Sequence, residues 1–235
     1  KRNFILMARR YLFKSFICLY IHLFSADLLA QKDNFPFQQF ERITEDNGLS
    51  GNAVYEVLQD KQGFLWFLSG NGLNRYDGYN FKIYSSDPAD SNSFTGGLFY
   101  SLVQDKNGVL WFNNETKGIY SFNPVTEKFF HYRHDPKNKN SLLDDQTTGL
   151  VADQKGNIWI ATQKGLDKLD PQTNTFTHIT HQQNKKTSIS NNFISAITID
   201  EDDNLWLVTG EPGLDYFNTQ TQKLIQHFNF GSSSN

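Results

Sequence analysis

Cysteine is almost absent from this 235-residue chain, in which Cys18 is the only one. It lies in an N-terminal apolar stretch that we expect to be removed on export, so the mature chain has no disulfide framework. The sequence also lacks a zinc-binding Cys/His set, a Gly-rich phosphate loop and a Gly-x-Ser-x-Gly elbow. We therefore predict no cofactor and no metal, and we find no sign of a phosphate-loop nucleotide site or a serine-hydrolase nucleophile.

Basic residues are scarce outside the N-terminus. Residues 1–30 hold five Lys and Arg and one acidic residue, whereas residues 31–235 hold 17 basic and 24 acidic residues, a net charge of −7. This balance argues against a DNA- or RNA-binding surface, which would be basic. Ala-rich, helix-favouring stretches are absent too, while 21 Phe and 10 Tyr favour strands.

No apolar run near the N-terminus is long enough to span a bilayer. Arg9, Arg10 and Lys14 precede a short apolar stretch over 16–24, and Ala30 ends a plausible cleavage site. Cys18 lacks the small residues that precede a lipid-modified cysteine. We predict a signal peptide over 1–30 and an exported, periplasmic protein, with a membrane anchor as the alternative.

One frame recurs four times and organises the rest of the chain. Each copy starts with Asp and reaches Trp six residues later, and the copies are 45, 48 and 47 residues apart. The pairs are Asp60 and Trp66, Asp105 and Trp111, Asp153 and Trp159, and Asp200 and Trp206. All four tryptophans lie in this frame, which is typical of a repeat architecture.

Each copy of the frame predicts a hairpin. The Asp ends an apolar strand and accepts backbone N–H groups of the turn, and the glycine that follows supplies a positive φ. The glycines are Gly63, Gly108 and Gly156. The fourth copy has Asp203 at this position, and Asp tolerates the left-handed conformation better than most residues.

Four short strands, A to D, fit each repeat. Strand A precedes the Asp, strand B carries the Trp, strand C starts at Gly-Leu or Gly-Ile, and strand D follows a turn dipeptide. Four antiparallel strands in 45 to 48 residues make a β-propeller blade. We predict an all-β fold, a β-propeller over 37–235 with four four-stranded antiparallel blades in an open arc cut from a larger ring. The predicted segments are a strand D of a closing blade at 37–43 and blades at 50–86, 98–135, 147–182 and 192–230.

The four in-register copies, over roughly residues 40–230, resemble the two-component regulator propeller repeat. The matching run is Gly48-Leu49-Ser50, Val54, Asp60, Gly63, Leu65-Trp66, Gly72-Leu73 and Arg75-Tyr76-Asp77-Gly78. The resemblance implies the periplasmic sensor of a hybrid two-component histidine kinase. It also implies about seven blades, a second propeller and a transmembrane helix in the parent chain, which we expect to be a dimer anchored in the inner membrane.

Three repeated features have both a structural and a chemical interpretation. The four Trp could form a carbohydrate-stacking platform and the four Asp could be catalytic carboxylates, but we expect inter-blade packing and turn capping instead. The pairs His131-x-x-His134 and His178-x-x-His181 have metal-ligand spacing. Because equivalent positions of neighbouring blades lie far apart on the rim, we predict a repeated surface feature there.

The B–C and D–A connections share one face of the predicted propeller, opposite the short and uniform A–B and C–D turns. The D–A connections over 85–97, 134–146 and 181–191 are long and unlike one another, and variable loops on a rigid scaffold are where binding concentrates. The candidate ligand contacts are Asn71, Tyr100, Asn114, Glu115, Gln163, Phe193 and Glu211. An ordinary role as solvated loop residues stays open for each of them.

Two functions of different classes fit this organisation. The first is a sensor module that binds an oligosaccharide or docks a neighbouring propeller and signals across the membrane. The second is an exported lyase or hydrolase acting on polysaccharide at the central channel, where strand A offers only Glu56 as an acid. Ser101, Thr148 and Ser195 have no evident base in the sequence. We therefore predict a non-enzymatic sensor whose parent resembles a histidine kinase.

Overall fold

The apolar segments around each Asp–Trp frame form strands in the computed structural model, which describes residues 42–210 and 212–230. In this part of the chain the helical content is one 3-10 turn, Glu45–Asn47. The signal segment predicted over 1–30 lies outside the described residues. So does the strand predicted over 37–43, apart from its last two residues, which are not in a strand.

Sixteen strands, four in each blade, make up the described part of the chain. Blade 1 contains β1 (Val54–Gln59), β2 (Leu65–Ser69), β3 (Gly72–Tyr76) and β4 (Phe81–Tyr84). Blade 2 contains β5 (Phe99–Gln104), β6 (Leu110–Asn114), β7 (Gly118–Asn123) and β8 (Lys128–Tyr132). Blade 3 contains β9 (Thr147–Ala152), β10 (Ile158–Thr162), β11 (Leu166–Asp170) and β12 (Thr175–Ile179). Blade 4 contains β13 (Ile194–Ile199), β14 (Asn204–Thr209), β15 (Gly213–Asn218) and β16 (Lys223–Asn229).

Each blade is a separate antiparallel sheet with its strands in chain order. The first strands of the blades, β1, β5, β9 and β13, lie side by side in that order, so they form the inner row of an open arc. The prediction of an all-β propeller with four four-stranded antiparallel blades is therefore confirmed.

The Asp of each frame explains the six-residue spacing to Trp. One carboxylate oxygen of Asp60 accepts the backbone N–H groups of Gln62 and Phe64, both at 2.9 Å, and caps the A–B turn. The other accepts the indole N–H of Trp66 at 2.7 Å. Asp105 and Asp153 bond the indoles of Trp111 and Trp159 in the same way, each at 3.0 Å. The turn therefore fixes the rotamer of the tryptophan on the strand that follows it.

Consecutive A–B turns are tied to one another across the blades. The Lys61 ammonium donates to the carbonyl of Asp105 at 3.1 Å, and the Lys106 ammonium donates to the carbonyl of Lys155. The last link differs, because the Asp203 carboxylate accepts the backbone N–H of Gln154 at 3.1 Å. These contacts join the turns of all four blades along one face.

Asp203 therefore has two tasks in the fourth turn. Its φ is +62°, as the sequence predicts for the position that glycine occupies in the other turns, and its carboxylate supplies the cross-blade acceptor. Blade 1 obtains the equivalent bond from Gln104, whose side chain accepts the Lys61 N–H at 3.0 Å. Blade 4 has Ile199 in place of that glutamine and takes the acceptor from Asp203 instead.

Two substitutions of Asp203 test these tasks together. Asp203→Asn keeps a short polar side chain that tolerates positive φ and can accept the Gln154 N–H, so we expect its free energy of unfolding to stay within about 0.5 kcal/mol of wild type. Asp203→Ala loses the acceptor and also tolerates positive φ less well, so we expect a loss of about 1–2 kcal/mol. Urea denaturation of both variants measures the difference. Equal stabilities would show that the carboxylate has no part in the turn.

The apolar core lies between the blades rather than inside one of them. Trp66 of blade 1 contacts Phe122 of blade 2, with ring centroids 5.7 Å apart, and Trp159 of blade 3 contacts Phe217 of blade 4 at 6.0 Å. Trp111 is likewise buried and packs in the cluster between blades 2 and 3. Each of these tryptophans thus faces the blade that follows it.

Blade 4 has no described blade against its outer flank. Trp206 is only half-buried and stacks on two rings of its own blade, Tyr216 at 4.4 Å and Phe228 at 5.7 Å. Val208 and Phe230 line an open pocket of about 320 Å³ beside it. The flank that is covered in the first three blades is therefore exposed here.

Candidate functional site

The B–C loops and the residues entering strand A come together on one face, which we call the loop face. Its B–C loops are residues 70–71, 115–117, 163–165 and 210–212. In blades 2, 3 and 4 a backbone bond joins the loop to the segment before strand A of the same blade, as in Glu115 N–H to Leu98 O at 3.0 Å and Gly210 N–H to Phe193 O at 2.8 Å. The loop face thus has a fixed backbone from which its side chains project.

Blade 2 holds the most organised group on the loop face. The hydroxyl of Tyr100 donates to the Glu115 carboxylate at 2.9 Å, and this bond raises the pKa of Tyr100. Tyr100 is 45% exposed and Glu115 is half-buried. The Glu115 carbonyl accepts the N–H of Thr147 at 3.2 Å, so its backbone also joins blades 2 and 3. An exposed aromatic ring and an oriented carboxylate therefore lie at the junction of two blades.

Two buried asparagines lie on the strand that leads to this loop. Asn113 donates to the Thr147 carbonyl at 3.1 Å, but its side-chain oxygen has no hydrogen-bond partner among the described residues. Asn114 is 1% exposed, and within the described part of the chain its side-chain nitrogen also lacks a hydrogen-bond partner. Asn114 thus lies beneath the surface, against Gly97 of the neighbouring loop, rather than on it.

Three of the remaining predicted contacts are far from the Tyr100–Glu115 pair in the chain and belong to other blades. Asn71 is exposed in blade 1 and its side chain donates to the Ser50 carbonyl at 3.0 Å. Gln163 is exposed in blade 3, where its backbone N–H bonds the Gln146 carbonyl at 3.2 Å. Phe193 is 40% exposed at the start of blade 4. Glu211 lies outside the described residues.

The sequence profile of the two-component regulator propeller family matches residues 48–71 and 188–211. These stretches occupy the same place in blades 1 and 4, from the entry to strand A through Trp to the B–C loop. A solved structure adds to this match: the extracellular domain of BT3049 from B. thetaiotaomicron, named as a hybrid two-component system, superposes with a TM-score of 0.68 at 28% identity. Blades 1 and 4 therefore each contain a stretch that matches the two-component regulator propeller repeat.

The propeller repeats cover only part of each relative. A histidine kinase, P4 of Formosa agariphila, is 47% identical over 64 residues, which are 27% of this chain and 4% of the kinase. The BT3049 match covers 81% of this chain and 26% of that domain. Virginiamycin B lyase from Staphylococcus aureus matches with a TM-score of 0.56 over 77% of this chain and 56% of the lyase, but at 16% identity it shows the fold alone. The chain thus spans about a quarter or less of its two-component relatives.

The D–A loops of the propeller repeats are more alike than their sequences indicate. In each loop one serine hydroxyl, of Ser93, Ser141 or Ser188, accepts the backbone N–H of the residue six positions earlier in the same connection, at 2.9 to 3.0 Å. The prediction that these loops are unlike one another is therefore wrong for their backbone. The sequence signal for this shared backbone is a serine directly before a buried apolar residue, which is Phe94, Leu142 or Ile189. The B–C loops are therefore the more varied part of the loop face.

The histidines on strand D and just after it bond separate partners rather than a common centre. His178 bonds the Asp167 carboxylate, and His134 and His181 bond the carbonyls of Leu142 and Ile189 at 2.7 and 2.8 Å. Within residues 42–210 and 212–230 no group of three or more His, Cys, Asp or Glu is arranged to hold a metal ion. The His-x-x-His spacing reflects the repeat.

The strand A hydroxyls are engaged by backbone groups of neighbouring strands. Ser101 accepts the Leu150 N–H at 3.1 Å, Thr148 donates to the Ile194 carbonyl at 2.6 Å, and Ser195 donates to the Val208 carbonyl at 3.2 Å. These bonds join strands within and between blades. The described stretch of the chain has no helix that combines the length and apolar character needed to cross a bilayer.

Proposed function

We propose that this chain is part of the ligand-sensing propeller of an exported two-component sensor. The observation that carries the proposal is the BT3049 match, because an extracellular domain named as part of a hybrid two-component system shares the fold over 81% of this chain at 28% identity. The 64-residue match to a histidine kinase supports the same context. In this proposal the chain itself binds and does not catalyse, and a kinase elsewhere in the parent carries the signal.

The ligand contacts the loop face in this proposal, with Tyr100 and Glu115 at its centre. An exposed aromatic ring provides an apolar surface, and an oriented carboxylate accepts hydrogen bonds from hydroxyl groups. Residues 31–235 carry a net charge of −7, which disfavours anionic ligands. These features favour a neutral oligosaccharide. The exposed Asn71, Gln163 and Phe193 extend the surface to the neighbouring blades, while Asn114 supports the loop from below.

The parent protein in this proposal is much larger than the chain. It contributes further blades, about seven in all, one of which packs against Trp206 and Val208 on the exposed flank of blade 4. A second propeller, an inner-membrane anchor and a histidine kinase follow, and the parent signals as a dimer. The small shares of the two-component relatives that the chain covers support this arrangement.

The test is a calorimetric screen of neutral oligosaccharides against the chain. We expect a member of the panel to bind, and we expect Glu115→Gln and Tyr100→Ala to weaken its binding by about 1–3 kcal/mol, the cost of losing a hydrogen-bonding group or a stacked ring. The matched control is Lys155→Ala, an exposed side chain on the opposite turn face. Absence of binding across neutral and acidic panels, or equal losses in the control, would contradict the proposal.

A further inference from the structure

One position on strand C makes the same hydrogen bond in three blades, although the residue at that position is not the same in all of them. Its side chain accepts the backbone N–H of the segment that enters strand A, and the acceptors are Asn74 for Ser50, Asp167 for Leu143 and Asp215 for Ser190. Blade 2 has Tyr120 there, whose hydroxyl bonds Thr95. The residues paired with this position across strand D are Ile83, His131, His178 and His227 in blades 1 to 4.

A carboxylate occurs at this position only where a histidine lies opposite it and bonds it. In blade 1 the neutral Asn74 accepts the Ser50 N–H at 2.9 Å beside Ile83, so that bond does not require a charge. Asp167 is fully buried, and its second oxygen lies 2.5 Å from the Nδ1 of His178. The buried carboxylate is therefore needed for the bond to the imidazole, whereas the backbone bond can be made by a neutral side chain.

Both ring nitrogens of His178 lie at hydrogen-bond distance from an acceptor, and one of these acceptors is a buried carboxylate, which His131 of blade 2 lacks. The His178 Nδ1 faces the Asp167 carboxylate, and its Nε2 lies 2.9 Å from the carbonyl of Lys139. With Asp167 ionised, both contacts are satisfied only when both nitrogens carry protons, which is the imidazolium form. Consistent with this geometry, the bond to Asp167 raises the pKa of His178, whereas burial lowers the pKa of His131 at the same position of blade 2.

Together the two side chains hold one loop at two points. The loop runs over residues 135–143 from blade 2 into blade 3, and we call it the entry loop. His178 bonds its middle at Lys139, and Asp167 bonds its end at Leu143, at 2.6 Å. The side chain of Asn140 holds the same loop to blade 3 by accepting the N–H of Phe176 at 2.7 Å.

We propose that Asp167 and His178 form a charged clasp on the entry loop, and that loss of the His178 proton loosens the loop and makes the loop face respond to external pH. The Nε2 proton leaves to solvent, while Nδ1 keeps its proton and its bond to Asp167. The bare Nε2 then faces the Lys139 carbonyl oxygen, and two acceptors cannot bond. The proposal goes beyond ligand sensing and does not depend on which ligand is bound.

The direction of the pH effect follows from the raised pKa of His178. Because His178 binds its proton more tightly in the clasped state, protonation stabilises that state fully when the pH is below the ordinary histidine pKa of about 6.5. This stabilisation is lost as the pH rises through the raised pKa of His178 in the folded protein. Burial raises the pKa of Asp167, which favours the protonated pair in the same direction. The other charged groups nearby are His134 and the Arg133–Asp145 ion pair at the base of the loop.

The entry loop continues directly into the loop face. Asp144, the residue after it, lies 3.4 Å from the ammonium of Lys164 in the B–C loop of blade 3. Two residues further on, the Gln146 carbonyl accepts the N–H of Gln163. The ion pair of Asp144 and the hydrogen bond of Gln146 therefore connect the entry loop to Gln163, a predicted ligand contact, so loosening of the loop changes the position of that residue.

Hydrogen exchange of the chain between about pH 5.5 and 8.5, corrected for intrinsic exchange, tests the clasp. We expect the opening constant of the entry-loop amides to rise with pH by at most about tenfold per unit. We expect the connection over 85–97 to show no such rise, because Thr95 of that connection bonds the Tyr120 hydroxyl and blade 2 has no carboxylate at this position of strand C. Ring NMR of His178 should show the imidazolium form near pH 6.5.

The decisive variant is the double substitution D167N/H178I, which copies the Asn74–Ile83 pair of blade 1 and keeps an acceptor for Leu143. We expect it to fold and its entry loop to lose the pH dependence. His178→Asn alone serves as a second variant and should also abolish the rise. A neutral His178 ring at pH 6.5, a flat wild-type profile, or the same pH dependence in the double variant would overturn the proposal.

Discussion

Replacing Trp159 by alanine lowers the free energy of unfolding by about 3–5 kcal/mol. The indole is fully buried between blades 3 and 4, contacts Phe217 and donates to the Asp153 carboxylate at 3.0 Å. The substitution leaves a cavity at the interface of two blades and a buried carboxylate oxygen that loses one donor. Because the blades of a repeat protein are stabilised by their neighbours, the loss can also uncouple blade 4 before global unfolding.

Trp206→Ala is the matched control, because it changes the same position of the frame in the blade whose outer flank is exposed. Its indole stacks only on Tyr216 and Phe228 of its own blade, so we expect a loss of about 1–2 kcal/mol. Urea denaturation followed by circular dichroism measures both. If the two variants were destabilised equally, the interpretation of the tryptophans as inter-blade residues would be wrong.

Gly118→Ala is the second substitution for which we expect a large effect, a loss of roughly 3–5 kcal/mol in the free energy of unfolding. Gly118 starts strand C of blade 2 with a φ of +79°, and a Cβ added there would lie 2.3 Å from the backbone carbonyl oxygen of Tyr132 on strand D. An alanine therefore has to adopt the left-handed conformation and also push two paired strands apart. Backbone atoms within a sheet cannot move aside as a flexible side chain can.

Gly108→Ala in the same blade isolates the conformational part of this cost. Gly108 has a similar φ of +85°, but the nearest atom to an added Cβ is the side-chain nitrogen of Gln104 at 3.6 Å. We expect a loss of about 1–2 kcal/mol from backbone strain alone. Thermal unfolding of the two variants under identical conditions gives the difference, and a Gly118 variant no less stable than the Gly108 variant would contradict the close packing of strands C and D.

The features that repeat could be predicted from the sequence, because the same local chemistry appears several times in register. The Asp–Trp spacing led to the hairpins and to four-stranded blades, and Asp203 was correctly expected to tolerate positive φ. Its second role could not be predicted, since it depends on Gln154 of the preceding blade, 49 residues earlier. A contact between blades leaves no periodic signal in the sequence when different positions of the repeat supply it, as Gln104 does in one blade and Asp203 in another.

The candidate site was less predictable for the same physical reason. Loop sequences differ while their backbones are closed by one repeated serine, so sequence variation overstated the variation of the D–A loops. Asn114 looks like a loop residue but ends strand β6 and is buried by Gly97 of another connection. The Tyr100–Glu115 bond joins residues 15 positions apart, and only the fold brings them together.

The footprint of a bound oligosaccharide on the chain tests the central claim most directly. Hydrogen exchange in the presence of a binder from the neutral panel should show protection in the peptides that contain Tyr100, Glu115 and Gln163. The A–B turn peptides that contain Asp60, Asp105 and Asp153 lie on the opposite face and should exchange as in the free protein. Protection confined to those turns, with the loop face unchanged, would contradict a ligand site on the loop face.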